Sequence, residues 1–308
     1  MIICCGEALI DMIPTTLDSK ETAFIPKIGG AILNTSICSG RLGANVGFLG
    51  AVSKDLFGEM IFEELNNSKV NTSFCIETSN NTTLAFAKIA NGTTTYSFFD
   101  ENSSNRTICL KDVVLDDSVV DTIYVGGISL MSEPNGTEIE NFIAKESSKK
   151  IVFYDPNVRP NFIEDRSLFI QRFEKILSQS DIIKISEEDL EWLYPDGSFE
   201  EIYKQWLELG LSIIVLTRGS EGAIIKTKNC EATSRGEKVE VVDTIGAGDI
   251  FNGALLFSLS NHKSFSKKDL INIDKESLEK SLKFANKIAA ISVGRIGANP
   301  PFFNELDL

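Results

Sequence analysis

The residues best suited to chemistry sit in one stretch, Asp243-Thr244-Ile245-Gly246-Ala247-Gly248-Asp249, which runs into the apolar Ile250-Phe251-Asn252-Gly253-Ala254-Leu255-Leu256. Val239 to Val242 ahead of it alternate like a strand, and the residues after it read as a buried helix. A glycine-rich turn opening a helix lets backbone N–H groups point at an anion, and the helix dipole adds positive potential there. Asp249, just inside the helix, would stand beside that anion, within reach of a proton on an attacking hydroxyl. The same residues also suit a plain helix start, with Asp249 complementing the dipole and the glycines closing a tight turn.

Two further places carry polar groups that need explaining. Asp11 lies in the largely apolar run Ile2 to Ile13, read as one strand. A carboxylate there is costly unless paired, so it either caps backbone groups or receives a ligand rich in hydroxyls. Gly29-Gly30-Ala31-Ile32-Leu33-Asn34 comes next, with a helix expected from Asn34 to Leu42 and stopped by Gly43. Asn34 suits an N-cap, or an amide presented to a ligand.

Composition excludes much else. With 308 residues, 43% of them hydrophobic, the chain can bury the core of one large α/β domain. The formal net charge of −14 argues against nucleic acid or an anionic membrane as the main partner. No run approaches the roughly 18 apolar residues of a membrane span. The N-terminus lacks the basic region of a signal peptide, so a cytoplasmic location is expected. The cysteines at 4, 5, 38, 75, 109 and 230 show no C-x-x-C spacing and read as reduced, mostly buried side chains. His262 is the only histidine, which removes any multi-histidine zinc site and leaves a Ser-His-Asp triad resting on a polar loop. Neither a P-loop nor a Rossmann G-x-G-x-x-G is present.

The elements that must position these residues follow from periodicity. Val46–Val52 reads as a buried strand and Asp55–Leu65 as a helix. Residues 82–99 form two β-rich runs around Asn91-Gly92, a hairpin signal whose alternation suits one wet face. With residues 12–25 they are expected to make a small antiparallel flap. From residue 122 strands (Thr122–Ser129, Lys150–Tyr154, Asp181–Ile185, Ser212–Thr217, Ala223–Thr227) alternate with helices near 137–148, 166–179, 187–193 and 199–209. A last helix is expected over Leu278–Val293. This alternation implies a mostly parallel sheet covered on both faces, with ligands bound outside the carboxyl ends of its strands.

Gly29-Gly30 with Asn34, and Asp243-Thr-Ile-Gly-Ala-Gly-Asp249, resemble the two signatures of the ribokinase-like (PfkB) carbohydrate kinases. The likeness spans essentially the whole chain. Glu7-Ala-Leu-Ile-Asp11, Thr83-Leu-Ala-Phe86, Tyr96 to Ser103, Asp155-Pro-Asn-Val-Arg159 and Gly297-Ala-Asn-Pro300 are similar to bacterial fructokinases in particular. The resemblance implies a ribokinase-like three-layer α/β/α fold over residues 1–308, with a β lid formed by about 12–26 and 82–100. It implies ATP-dependent phosphorylation of a sugar hydroxyl, with D-fructose to fructose 6-phosphate ahead of 2-keto-3-deoxygluconate kinase, ribokinase or adenosine kinase. A non-catalytic sugar or nucleotide sensor on the same fold is the alternative of a different class.

Roles follow residue by residue from the same resemblance. Asp249 would be the base, and the amides of Gly246, Ala247 and Gly248 the anion hole. Asp11, Gly29, Gly30, Asn34, Phe98 and Arg159 would meet the sugar. Lys184, Ser186, Thr217, Gly219, Gly222 and Asn286 would line the ATP site. The family's magnesium-associated Asn-x-x-Glu falls on Ser186-Glu187-Glu188-Asp189, so Asp189 would act on Mg²⁺ indirectly. Pro301 stands where members binding a monovalent cation often carry serine, which argues against potassium dependence. Asp100 stands about where members taking sugar acids carry arginine, which favours a neutral sugar. A homodimer through the lid is left open.

Overall fold

The structure, a computed structural model, describes residues 1–90, 93–263 and 265–307. Strand β1 (Ile2–Cys5) bends at residues 6–8 into β2 (Leu9–Thr16), which pairs antiparallel with β3 (Thr22–Gly29). Helix α1 (Ala31–Arg41), β4 (Val46–Leu49), β5 (Ala51–Ser53) and α2 (Leu56–Asn67) follow. Then come β6 (Ile76–Thr78) and the antiparallel pair β7 (Thr83–Ala90) and β8 (Thr93–Phe99). The alternating part comprises β9 (Thr122–Gly126), α3 (Asn135–Glu146), β10 (Ile151–Asp155), α4 (Arg166–Leu177), β11 (Ile182–Ser186), α5 (Glu187–Leu193), α6 (Phe199–Leu209) and β12 (Ile213–Thr217). It ends with β13 (Ala223–Lys226), β14 (Glu231–Ser234), α7 (Ala247–Ser260) and α8 (Lys275–Val293).

Among the described residues the main sheet has eight strands in the order β14-β13-β12-β11-β10-β9-β1-β4. Pairings from β4 to β12 are parallel, and β13 and β14 add an antiparallel edge. Alternation along its strands feeds two cores. Ile2, Cys4, Tyr124 and Phe153 pack with α1, α7 and α8, whereas Ile3, Cys5, Val125 and Tyr154 pack with α3, α4 and α6. Because both faces bury apolar side chains, the strands are apolar throughout, and the expected α/β/α layering results.

The four-stranded second sheet, ordered β3-β2-β7-β8, departs from the expected flap in one respect: β2 and β7 run parallel, so only its two outer pairs are antiparallel. Asn91-Gly92 lies outside the described residues. Other expectations are corrected too. Residues 1–13 are not one strand, because the chain leaves the main sheet after Cys5 and enters the small one at Leu9. Val46–Val52 splits in the same way into β4 and β5. The only local marks of these changes of sheet are Gly6-Glu7 and Gly50 at the breaks, and an isolated glycine inside a strand pattern does not by itself distinguish a bulge from a change of sheet. The 122–129 strand stops at Gly126 and continues as a 3₁₀ turn. Val239–Val242 is no strand: Val241 and Val242 are exposed, and Val242 N–H donates to the Val293 carbonyl at the end of α8. The cysteines divide evenly, with Cys4, Cys5 and Cys38 buried and Cys75, Cys109 and Cys230 at least partly accessible.

Candidate active site

The helix at Asp249 starts where the sequence indicates. Gly246 is its N-cap in the left-handed region (φ 73°), and a Cβ there would fall 2.5 Å from that of Ala298, so glycine answers both conformation and space. Asp243 shapes the turn and more: its carboxylate accepts from Ile245 N–H at 3.0 Å and from Gly297 N–H at 2.9 Å, tying the turn to the C-terminal loop. Of the three amides expected to make an anion hole, that of Ala247 bonds the Thr244 carbonyl at 3.2 Å within the turn. The first bond inside the helix runs from Ile250 to Gly246, which leaves the Gly248 N–H ahead of it directed out of the helix end.

Asp249 is buried and held from two sides. Asn34 Nδ2 donates to Oδ2 at 3.0 Å, and Asn157 Nδ2 to Oδ1 at 3.3 Å. Asn34 is thus no N-cap; α1 begins three residues earlier with Gly30 in that place, and Asn34 faces α7 from its first turn. Burial raises the Asp249 pKa above the usual carboxylate range, while the Asn34 bond and Arg159 draw it back. Asp11, across from it, is pushed up to about 7 by burial and then by the Asp249 charge. Among the described residues no backbone N–H donates to the Asp11 carboxylate, which faces the cavity instead of capping a strand end.

These groups border one cavity of about 380 Å³. Of the residues expected at the sugar, Asp11, Gly30, Asn34, Phe98 and Arg159 line it, and so do Gly246 and Asp249. Gly29 does not; it lies against the Asp11 carboxylate, which would stand 2.1 Å from a Cβ there. Phe98 of β8 meets Phe162 edge to face, centroids 4.2 Å apart, so the small sheet touches the main body across the cavity. Asp100 corrects an expectation: it is buried at the foot of that sheet, accepting from Thr83, Ser103 and Arg106, and says nothing about the charge of a ligand.

Beyond the α7 N-terminus lies a second polar group of residues. A Cβ on Gly248 would sit 3.6 Å from Lys184 Nζ, so a buried ammonium faces the helix end. Lys184 donates to Asp155 Oδ2 at 3.0 Å, and Asn252 Nδ2 reaches the same oxygen at 2.6 Å. Burial works against the Lys184 charge, but Asp155 and Asp189 hold its pKa above the ordinary lysine value. Ser186 caps α5 by accepting from Asp189 N–H, and Asp189 Oδ1 accepts from Val158 N–H, both at 3.0 Å. Thr217, Gly219, Gly222 and Asn286 do not line the cavity; of these, Gly222 and Asn286 stand against residues 234–236. There Asn286 Nδ2 donates to the Ser234 carbonyl, and a Cβ on Gly222 would meet that same carbonyl oxygen.

Glu7, Asn157, Phe162 and Asn252 were not assigned from the sequence. Glu7 and Asn252 satisfy the criterion that singled out Asp11, a polar side chain inside an apolar run. Asn157 and Phe162 carried no such signal.

Comparison with known proteins extends over the whole chain. A family model described as pfkB family carbohydrate kinase matches residues 1–304. The fructokinase of Rhizobium leguminosarum bv. trifolii is 38% identical over 278 residues, covering 90% of this chain and 85% of that protein. Fructokinase-2 of Zea mays is 30% identical, covering 97% of this chain and 90% of its own length. The crystal structure of fructokinase with bound ATP from Xylella fastidiosa matches with a TM-score of 0.88 at 26% identity, covering 99% of this chain and 94% of that one. Among the described residues no helix is long and apolar enough to cross a membrane.

Proposed function

The chain belongs to the pfkB family of carbohydrate kinases, and from that premise we propose that it transfers the γ-phosphoryl group of ATP to fructose, giving fructose 6-phosphate. The observation that carries this reading is the seat of Asp249: a buried carboxylate at a helix N-terminus, held by Asn34 and Asn157, lining a cavity with room for a sugar. Asp249 takes the proton of the sugar hydroxyl, and burial, by raising its pKa above the ordinary carboxylate value, makes the ionised carboxylate a stronger base. The freed oxygen attacks the γ-phosphorus in line as the bond to the ADP oxygen breaks. Charge on the moving phosphoryl falls to the Gly246–Gly248 turn, with the Gly248 N–H as the donor left by α7, and to Lys184 beside it.

Asp11, Asn34 and Arg159 supply acceptors and donors for the sugar hydroxyls, and Gly30 lets the backbone come close. The small sheet acts as a lid, with Phe98 against Phe162 excluding water. ATP lies along the Lys184–Ser186 strand end toward Thr217, Gly219, Gly222 and Asn286. Among the described residues no three acidic, histidine or cysteine side chains cluster as a metal cage. That suits Mg²⁺, which keeps several waters and takes phosphate oxygens with one or two carboxylates. Asp189, whose Oδ1 already accepts from Val158, would hold the ion through water, and the ion when bound neutralises phosphate charge. Pro301 argues against a potassium requirement. The exposed Phe24 and Phe99, joined edge to face through Phe86, give the lid an apolar face on which a second copy can pack.

The test is ADP release measured with ATP, Mg²⁺ and a panel of fructose, ribose, 2-keto-3-deoxygluconate and adenosine, the product identified by NMR. Fructose-dependent turnover with phosphate on O6 is expected. Preference for another acceptor corrects the substrate, and no turnover with any of them overturns the reading in favour of a sensor.

A further inference from the structure

Glu7 has no part in that chemistry, yet it is 2% exposed and borders the cavity. Its two oxygens join three segments that are distant in sequence. Oε1 accepts from Ala31 N–H at 3.0 Å, at the first residue of α1. Oε2 accepts from Ser129 N–H at 3.3 Å and from the Ser129 hydroxyl, in the 3₁₀ turn after β9. Room for the side chain comes from Gly127, with φ of 65°, where a Cβ would fall 2.3 Å from Oε1. Helix α1 has no side-chain cap of its own, so this carboxylate from the β1–β2 bend does the capping.

The consequence reaches the base in a short chain of bonds. Glu7 holds Ala31 N–H; the neighbouring Gly30 carbonyl accepts from Asn34 N–H at 2.9 Å; and Asn34 Nδ2 holds Asp249 at 3.0 Å. We propose that Glu7 is a positioning residue for the transfer reaction, setting the start of α1, and through it Asn34, against Asp249 and the sugar. This rests on the reading of the cavity as the sugar site. Both contacts need an acceptor, so Glu7→Gln keeps the shape but puts an NH₂ against one of the two donors. Glu7→Asp keeps both acceptors but falls one methylene short.

The experiment is a steady-state cycle of wild type, Glu7→Gln, Asn34→Ala and the double variant, on the acceptor that the panel selects. Wild-type turnover on fructose tests the sugar reading separately, because the variants are compared only with wild type. For Glu7→Gln a fall in kcat/KM for the sugar of roughly tenfold to a hundredfold is expected, the scale of small misplacements at a reacting centre. KM for ATP should stay within about twofold, since the nucleotide side is untouched. The double variant should be about as impaired as the worse single one, because both act on the same arrangement. Wild-type sugar kinetics in Glu7→Gln, losses that simply multiply, or KM for both substrates rising together with a fallen melting temperature each overturn the proposal. Should Glu7→Gln fail to fold, Ser129→Ala removes only the hydroxyl bond to Oε2. It should raise sugar KM alone, and unchanged sugar KM there is equally fatal.

Discussion

Asn34 Nδ2 lies 3.0 Å from Asp249 Oδ2, so an amide on α1 holds the carboxylate that opens α7 across 215 positions of sequence. Burial raises the Asp249 pKa and this bond opposes the rise. A general base works ionised, so activity is lost as pH falls through its pKa. Asn34→Ala removes an opposing influence, and the acid limb of the kcat profile should move to higher pH. A limb that stays in place, or moves down, contradicts the assignment of Asp249 as the titrating base.

Asp249→Asn keeps the size and one of the two acceptors, for Asn34 or Asn157, while abolishing proton uptake. A loss in kcat on the order of 10³-fold is expected, within the usual span for a general base. Thermal unfolding followed by circular dichroism should show no loss of stability at neutral pH, since a buried charge has been removed. Near-normal turnover in this variant would end the mechanism.

Asp11 makes stability depend on pH in a definite direction. Its pKa is about 7 in the folded protein against an ordinary 3.8, raised by burial and by Asp249. Between those values the folded state holds a proton that the unfolded chain releases, so this group's contribution to stability is complete below 3.8 and gone above about 7. Asp11→Asn does not titrate. Its melting temperature relative to wild type should therefore climb between about pH 4 and 7 and level off above, while binding of the sugar weakens. A constant difference across that range refutes the claim.

Lys184 and Asp155 are almost wholly buried together at 3.0 Å. Lys184→Met should cost about 3–5 kcal/mol in urea denaturation, because Asp155 is left unpaired in the interior. Adding Asp155→Asn should return part of that stability without returning activity, since the cation facing Gly248 is still missing. Restored turnover in the double variant would show that Lys184 serves only to balance Asp155.

Phe162 is the body-side partner of the lid's Phe98. Truncation to Ala removes an edge-to-face pair, of about 0.5–1.5 kcal/mol beyond burial, and loosens closure. Sugar KM should rise several-fold, and more ADP should form per sugar phosphorylated as water enters. Coupling measured by ADP and sugar phosphate together checks this; an unchanged ratio argues that the contact is not a seal.

The main layers were legible because apolar periodicity and glycine punctuation are local properties. Helices at 187–193 and 199–209 match α5 and α6 residue for residue. The turn at Gly246 and the carboxylate at Asp249 were legible for the same reason, since phosphate-binding geometry at a helix start is encoded within a few residues. Changes of sheet were not. Cys5 to Leu9 and Leu49 to Ala51 are equally apolar on both sides of each break, and only the partner strand differs.

What the sequence by itself determined was the kind of element at each place and the chemistry its side chains can offer. Tertiary structure decided which of those groups meet. It turned Asn34 from a cap into a holder of Asp249, removed Asp100 from the cavity, and put Glu7 at the start of a helix that begins 24 residues later. The physical reason is common to all three. A buried polar group must find a partner, and the fold, not the chain order, brings that partner within 3 Å.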